Sequence, residues 1–248
     1  MWLKASYHFH TYCYRDPRSA FASGVGIPVV SPTTVFLGLV STLFRSGRNE
    51  EAYNFIKRLE SFQLLIDAPD SIIFFRAFHQ IRRYETTKKG KNPVTKKWDV
   101  PNPRIGLTNI NQATKEYGLV EGKYTLYLYL DESLTDNAIF ALTNLTHLGT
   151  YDSLCSLIGT VEKLDSLPTE IIYHPSTEVT DKQRSDWLQP GKSITMVTLS
   201  RFKNRSELSP TVGSYWYMAG GKDTELVTYV IPGKFVGAVK GKIYKKNQ

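Results

Sequence analysis

Histidine, tyrosine and lysine residues near the start of the chain have the side chains best suited to acid–base chemistry. His8 and His10 lie two positions apart in the segment WLKASYHFHTYCY, and Lys4 and Tyr14 flank them. Metal-free RNA cleavage needs a general base near a 2′-hydroxyl and a cation near the phosphate, roles that these residues and His79 can supply. Single histidines in strands are weak evidence for catalysis, so we favour packing or RNA binding without cleavage.

The remaining motifs argue against metal and nucleotide chemistry. The only cysteines are Cys13 and Cys155, which have no CxxC spacing, and no His or Asp cluster complements the two histidines of the first segment. Two thiols without several histidines cannot hold zinc, so we expect no metal, no cofactor and two free buried thiols in a reducing cytoplasm. The GKS sequence at 191–193 lacks the upstream glycine of a phosphate-binding loop.

The strongest chemical signal is a basic segment, residues 82–104. The whole chain has a formal net charge of +8, and this segment holds eight Lys or Arg residues against two acidic residues. A segment with so few acidic residues among its cations favours a polyanionic partner, because neutralisation of phosphates releases counterions. Tyr84 and Trp98 within the segment can stack on bases at about 1–3 kcal/mol per base. The alternative interpretation is a solvated loop.

Residues 2–14 carry the first candidate residues on a predicted strand, because apolar and polar side chains alternate there. The expected core face carries apolar and small side chains: Leu3, Ala5, Tyr7, Phe9, Thr11 and Cys13. The expected outer face carries basic, imidazole, hydroxyl and phenol groups: Lys4, Ser6, His8, His10, Tyr12 and Tyr14.

The segment SPTTVFLGLVSTLFRSG predicts a buried helix, with Ser31 as N-cap, Pro32 at its first position and Gly47 at its end. Further helices are predicted at 49–60 and 131–148, and further strands at 62–68, 71–81, 122–130 and 154–164. This order matches a ferredoxin-like βαββαβ fold of the α+β class, which is also the fold class of RNA-recognition modules.

Two regions are expected along the chain. Residues 1–168 form the ferredoxin-like domain, and its insertion at about 82–104 is expected to form a protruding basic β-hairpin. Residues 169–248 form a C-terminal β-rich extension packed on this domain, and their tail KGKIYKKNQ is a second basic cluster. Because no stretch approaches the ~20 apolar residues that cross a bilayer, and no signal peptide opens the chain, we expect a cytoplasmic protein without a membrane partner.

The run GIPVVSPTTVFLGLVSTLF resembles the opening of the Cas-five family of CRISPR-associated proteins, within the RAMP superfamily. In that family a Pro-Pro/Ser-Thr-Thr element starts the first helix, and an apolar Leu-Gly-rich stretch follows. The sequence HLGTYDSLCSLIGTVEKL at 147–164 is similar to a second landmark, a Leu-Gly turn followed by a Ser-containing strand. The basic segment falls where family members carry a protruding thumb. The resemblance covers roughly residues 1–165.

This resemblance implies a non-catalytic subunit of a type I Cascade complex, which caps the 5′ handle of the crRNA. The implied partners are that handle, the backbone subunit and the large subunit, with target DNA as a further candidate, in antiviral defence or transposon guidance. The implied handle contacts are Arg15, Arg18, Ser31, Thr33 and Thr34, and a helix N-terminus is itself a natural phosphate site. The implied thumb contacts are Lys88, Lys89, Lys91, Lys96, Lys97 and Trp98. Further RNA contacts are expected beside the thumb, from Arg76, His79, Arg82, Arg83 and Arg104.

Two alternatives stay open at the level of sequence. One branch of the family cuts precursor crRNA with a Tyr/His/Lys constellation, so His8 and His10 leave a metal-independent endoribonuclease as the first alternative. The second alternative is an unrelated RNA-binding module, for example a ribosome-associated protein.

Overall fold

The computed structural model describes residues 1–15, 26–58, 62–86, 103–150, 152–167, 174–175, 180–187, 189–203, 224–238 and 241–247. The chain separates into two compact units, one formed by Met1–Phe75 with Glu116–Gln248 and the other by Arg76–Lys115. Within the described ranges, no helix is long and apolar enough to cross a membrane.

The strands and helices follow in chain order. They are β1 (Trp2–Phe9), α1 (Pro32–Arg45), α2 (Asn49–Lys57), β2 (Gln63–Asp67), β3 (Ser71–Thr86), β4 (Pro103–Glu121), β5 (Tyr124–Tyr129), α3 (Thr135–Thr143), β6 (Cys155–Leu157), β7 (Glu162–Leu164), β8 (His174–Pro175), α4 (Asp181–Trp187), β9 (Ile194–Phe202), β10 (Thr224–Ala238) and β11 (Gly241–Lys246).

The first sheet has the ferredoxin-like strand order. Its order is β2-β5-β1-β6, and β7 also pairs with β1. All of these pairings are antiparallel. Helix α1 connects β1 to β2, and α3 connects β5 to β6, which gives the βαββαβ arrangement. The predicted fold class is therefore confirmed, and β3 and β4 are inserted between its two middle strands, β2 and β5.

The second sheet joins the inserted strands to the C-terminal strands. Its order is β4-β3-β11-β10-β8, and β9 also pairs with β10. Strand β11 pairs with the first part of β3, from Gly241 opposite Phe75 to Lys245 opposite Ser71. Strands β2 and β3 follow one another along the chain but lie in different sheets.

Helix α1 begins and ends where the sequence predicts. The side chain of Ser31 accepts a hydrogen bond from the backbone N–H of Thr34, and Pro32 occupies the first helical turn. Gly47 follows the helix with φ of +75°, the left-handed conformation that commonly ends helices. One face of α1 packs into the core through Val35, Phe36, Leu39, Val40 and Leu43.

The first strand is shorter than predicted. Its alternation is confirmed up to Phe9, but β1 ends there instead of continuing to residue 14. Tyr12 then forms an isolated bridge with Gly118, and both Tyr12 and Tyr14 are buried, whereas Thr11 is exposed. The predicted faces are wrong for these three residues, because the period of two does not apply once the backbone leaves the strand.

Three other predicted boundaries differ from the structure. The helix expected over 131–148 is a 3₁₀ turn at Glu132–Leu134 followed by α3, which ends at Thr143. The strand expected over 154–164 is divided into β6 and β7. Helix α2 ends at Lys57 rather than at residue 60. Local pattern specifies the ends of elements less strongly than it specifies their existence and type.

Candidate nucleic-acid interface

The unit Arg76–Lys115 concentrates the positive charge of the chain. It contains ten Lys or Arg residues and two acidic residues, so its net charge of +8 equals that of the whole chain. The rest of the chain therefore holds as many acidic as basic residues. Strands β3 and β4 are consecutive and neighbouring, so they form a β-hairpin whose connecting residues 87–102 lie outside the described ranges. The charge distribution makes this unit the candidate site for a polyanion.

The predicted contacts beside the thumb lie on this hairpin. Arg76 is exposed on β3, and β3 continues five residues beyond its predicted end, to Thr86. The other members of the set lie within the two strands, namely His79, Arg82 and Arg83 in β3 and Arg104 in β4. The predicted thumb contacts Lys88, Lys89, Lys91, Lys96, Lys97 and Trp98 lie outside the described residues, as does Arg18.

Two of the three predicted handle contacts at the start of α1 are buried, and the third, Thr34, is half-buried. The side chains of Ser31 and Thr33 are both 0% exposed. The Ser31 hydroxyl accepts a hydrogen bond from Thr34 N at 3.2 Å and another from Ser200 Oγ at 3.3 Å. The Ser31 N–H donates to the hydroxyl of Tyr14 at 3.0 Å. Protein groups therefore occupy the hydroxyl and the N–H of Ser31, whereas the buried hydroxyl of Thr33 has no hydrogen-bond partner among the described residues. Because both side chains are buried, neither is included in the interface proposed below.

Two histidines of the predicted acid–base set meet at the surface. His8 and His10 are exposed, with ring centroids 5.1 Å apart, and His10 Nε2 lies 3.1 Å from Ser156 Oγ on β6. Lys4, on the same face of β1, forms an ion pair of 3.0 Å with Glu162. The structure thus places the imidazoles together but gives the lysine an anionic partner.

The cysteines and several tyrosines are buried acids. Cys13 and Cys155 are free and buried, as predicted. Burial raises the pKa of the Cys155 thiol to about 12. Burial also raises the pKa of Tyr12 and Tyr124 well above the usual tyrosine value. With pKa values raised in this way, Cys155, Tyr12 and Tyr124 stay protonated at neutral pH. Among the described residues, no group of three or more His, Cys, Asp or Glu is arranged to hold a metal ion.

A second cluster of cations was not predicted as a site. Lys192, Lys234 and Lys245 meet at a groove in the C-terminal part of the first unit. The sequence offered a partial signal, since Lys245 belongs to the basic tail KGKIYKKNQ. Lys234 and Lys245 are neighbours through the pairing of β10 with β11, whereas Lys192 comes from a separate turn before β9.

The fold and the basic unit together define an α+β protein of ferredoxin-like architecture with a polycationic insertion. No family model matches the sequence, and no curated protein matches it. Two solved structures are similar to this chain at low identity. The first is the type III-B Cmr-beta bound to cognate target RNA, with 13% identity and a TM-score of 0.43, covering 65% of this chain and 59% of that chain. The second is the crystal structure of a CRISPR protein from Archaeoglobus fulgidus, with 11% identity and a TM-score of 0.44, covering 100% of this chain and 92% of that chain.

This chain therefore spans less than two thirds of the length of the first of these structures. At such identities the likeness concerns the fold, and it assigns no function to this chain.

Proposed function

We propose that this protein is a non-catalytic RNA-binding subunit of a type I Cascade complex, which caps the 5′ handle of the crRNA. The observation that carries the proposal is the unit Arg76–Lys115, whose ten basic and two acidic residues account for the net charge of the chain. This unit is inserted between β2 and β5 of a ferredoxin-like domain. The thumb of the Cas-five family, which the sequence resembles, occupies the corresponding place in its sequence.

The chemistry of the unit suits ribose-phosphate more than base recognition. Arginine and lysine neutralise phosphates and release counterions, which makes the affinity strongly dependent on salt. For single-stranded RNA, each phosphate contact contributes a slope of about −0.7 to the plot of log K against log salt. If six of the ten cations contact phosphate, the slope is about −4. Tyr84 and Trp98 supply rings on which bases can stack.

The proposed partners follow from the proposed role. They are the 5′ handle of the crRNA, the backbone subunit beside the handle–spacer junction and the large subunit, with target DNA as a further partner. The complex acts in the cytoplasm in RNA-guided DNA targeting, for defence or for transposon guidance.

Sequencing of the RNA that co-purifies with the full-length chain tests the proposal. The tagged chain is expressed with a CRISPR array and its neighbouring genes, and it is purified at low ionic strength. We expect one short RNA species with a uniform, repeat-derived 5′ end. Ribosomal RNA, a mixture of unrelated RNAs or no RNA would refute the proposed role, and ribosomal RNA would favour a ribosome-associated module instead.

A second function is favoured by the exposed pair His8 and His10. Two imidazoles with centroids 5.1 Å apart can act as acid and base in metal-free RNA cleavage. This alternative predicts discrete cutting of precursor crRNA in the presence of EDTA, and loss of cutting in His8→Ala or His10→Ala. Precursor crRNA that stays intact with the wild-type protein would exclude it.

A further inference from the structure

A groove in the first unit is lined by four lysines, three of which form no ion pair with any acidic residue in the part of the chain that the structure describes. Its volume is about 770 Å³, and its described lining consists of Asp70, Ser71, Glu121, Pro190, Gly191, Lys192, Lys234, Lys245, Lys246 and Asn247. Lys192, Lys234 and Lys245 are exposed. Their ammonium groups form no hydrogen bond or ion pair with any described residue. Lys246, in contrast, is neutralised by Asp67 at 2.5 Å.

Strand register places two of these lysines directly opposite each other. Lys234 on β10 pairs with Lys245 on β11, so both side chains point to the same face of the sheet. Opposed residues of an antiparallel pair have Cβ atoms about 4.5–5.5 Å apart, and like charges at that spacing destabilise the sheet. An anion bound between the two ammonium groups would relieve this repulsion.

Neither acidic residue of the described lining, Asp70 or Glu121, forms an ion pair with Lys234 or Lys245. Lys245 lies opposite Ser71 on β3, and the Ser71 hydroxyl donates to Glu121 Oε2 at 2.7 Å. The Glu121 carboxylate is thus held by a neighbouring hydroxyl and forms no ion pair with a lysine of the groove among the described residues.

The third lysine, Lys192, lies in a turn that is stabilised by hydrogen bonds within it and beside it. The turn 189–192 is closed by a backbone hydrogen bond of 2.9 Å. The side-chain amide of Asn247 accepts from Ser193 N at 3.0 Å and donates to Ser193 O at 2.8 Å. The N–H of Gly233 also donates to Ser193 O, at 2.8 Å. A Cβ at position 233 would collide with the backbone oxygen of Lys245, so glycine allows this close approach.

We infer that this groove binds the phosphodiester backbone of a nucleic-acid strand without reading its sequence. Lysine binds phosphate as a compact point charge, and three such charges line one open groove. None of the described lining residues is aromatic, so this part of the lining offers no ring on which bases stack. The inference rests on the proposed function, because it gives the RNA-binding protein a second contact with the same class of polyanion.

A protein partner is the competing occupant. An apolar row of Ile73, Ile243 and Val236 lies on the same face of the second sheet, where Ile73 and Val236 are 43% and 38% exposed. Such a row suits a protein surface, whereas the lysine row suits phosphate. The groove lining itself contains no member of the apolar row, and this separation favours the nucleic acid.

Fluorescence anisotropy with labelled U15 RNA and dT15 DNA tests the inference on the full-length protein. The groove variant is Lys234→Gln/Lys245→Gln. The matched control is Lys123→Gln/Lys163→Gln, which removes two exposed lysines outside the groove. We expect the groove variant to bind both strands about tenfold more weakly, with the salt slope reduced by about 1.4, and the control to be unchanged. Lys234→Arg/Lys245→Arg should retain the affinity.

A stability measurement separates lost contacts from misfolding. Removal of two repelling charges should leave the urea midpoint of the groove variant unchanged or raised. If the wild type binds RNA and the groove variant keeps its affinity and salt slope, the groove is not a phosphate site, and the proposed function stands. If the wild type binds neither strand, the inference about the groove fails, whereas the proposed function is decided by the RNA that co-purifies with the chain. If the groove variant keeps its RNA affinity but loses a co-purifying protein subunit, the groove is a protein-docking surface, and the inference is overturned.

Discussion

The hydroxyl of Ser200 on β9 donates a hydrogen bond of 3.3 Å to the side-chain oxygen of Ser31, the N-cap of α1. Both serines are buried, so a strand from the C-terminal third closes the start of the first helix. The cap residue therefore stabilises the fold, and the RNA interface is expected elsewhere, on the basic unit.

Replacement of Ser31 by alanine tests this division of roles. Loss of the N-cap hydrogen bond should lower the free energy of unfolding by about 1–2 kcal/mol, as measured by urea denaturation. The affinity for handle RNA should stay the same, because the side chain is 0% exposed. Ser41→Ala, inside α1, is the matched control and should not destabilise the protein. Weaker RNA binding by a folded Ser31→Ala protein would contradict this division and show that the start of α1 belongs to the RNA interface.

Replacement of Tyr124 by phenylalanine should lower the free energy of unfolding more than the same replacement of Tyr127, which lies in the same strand. The Tyr124 hydroxyl accepts a buried hydrogen bond of 2.7 Å from Val30 N. Tyr124→Phe leaves that N–H unpaired and should cost about 1–3 kcal/mol of unfolding free energy. The hydroxyl of Tyr127 has no hydrogen-bond partner among the described residues, so Tyr127→Phe should cost less. Equal losses in the two variants, measured by chemical denaturation, would contradict this assignment.

Stability should fall at alkaline pH because of Cys155. Burial raises the pKa of its thiol from an ordinary value of 9.0 to about 12. The unfolded chain then loses this proton at a lower pH than the folded chain does. The stabilisation is present below pH 9.0 and is lost as the pH rises toward about 12. Between pH 8 and pH 10 we expect the titration of Cys155 to lower the free energy of unfolding by about 1 kcal/mol.

Urea denaturation of Cys155→Ala at the same two pH values provides the comparison. The variant should lose less stability than the wild type between pH 8 and pH 10, since it lacks the titrating thiol. The same pH dependence in both proteins would show that Cys155 is not the titrating group.

Local sequence signals were sufficient for the fold class and for helix α1. Ser31, Pro32 and Gly47 each act through the backbone of their immediate neighbours, so their pattern predicts where the helix begins and ends. The alternation of the first strand likewise predicts its buried face up to Phe9. These features depend on residues within a few positions of each other.

The features that local patterns did not predict depend on contacts between separate segments of the chain. Tyr12 leaves the predicted face because it bridges Gly118, which lies far along the chain. Ser31 is buried and accepts a hydrogen bond from Ser200, in the C-terminal third, a contact that no local pattern predicts. The basic groove was not predicted because it combines the Lys234–Lys245 pair of β10 and β11 with Lys192, which comes from a separate turn.

The affinity of the full-length protein for handle RNA, after charge reversal in the basic segment, tests the central claim most directly. The triple variant Lys88→Glu, Lys89→Glu and Lys91→Glu reverses three cations of the unit that carries the net charge. The matched control reverses three exposed lysines of the first unit, Lys57, Lys123 and Lys163. We expect the triple variant to bind at least about 100-fold more weakly and the slope of log K against log salt to become less negative by about 2. The control should keep the affinity and the slope of the wild type. A triple variant that binds handle RNA as tightly as the control would contradict the account.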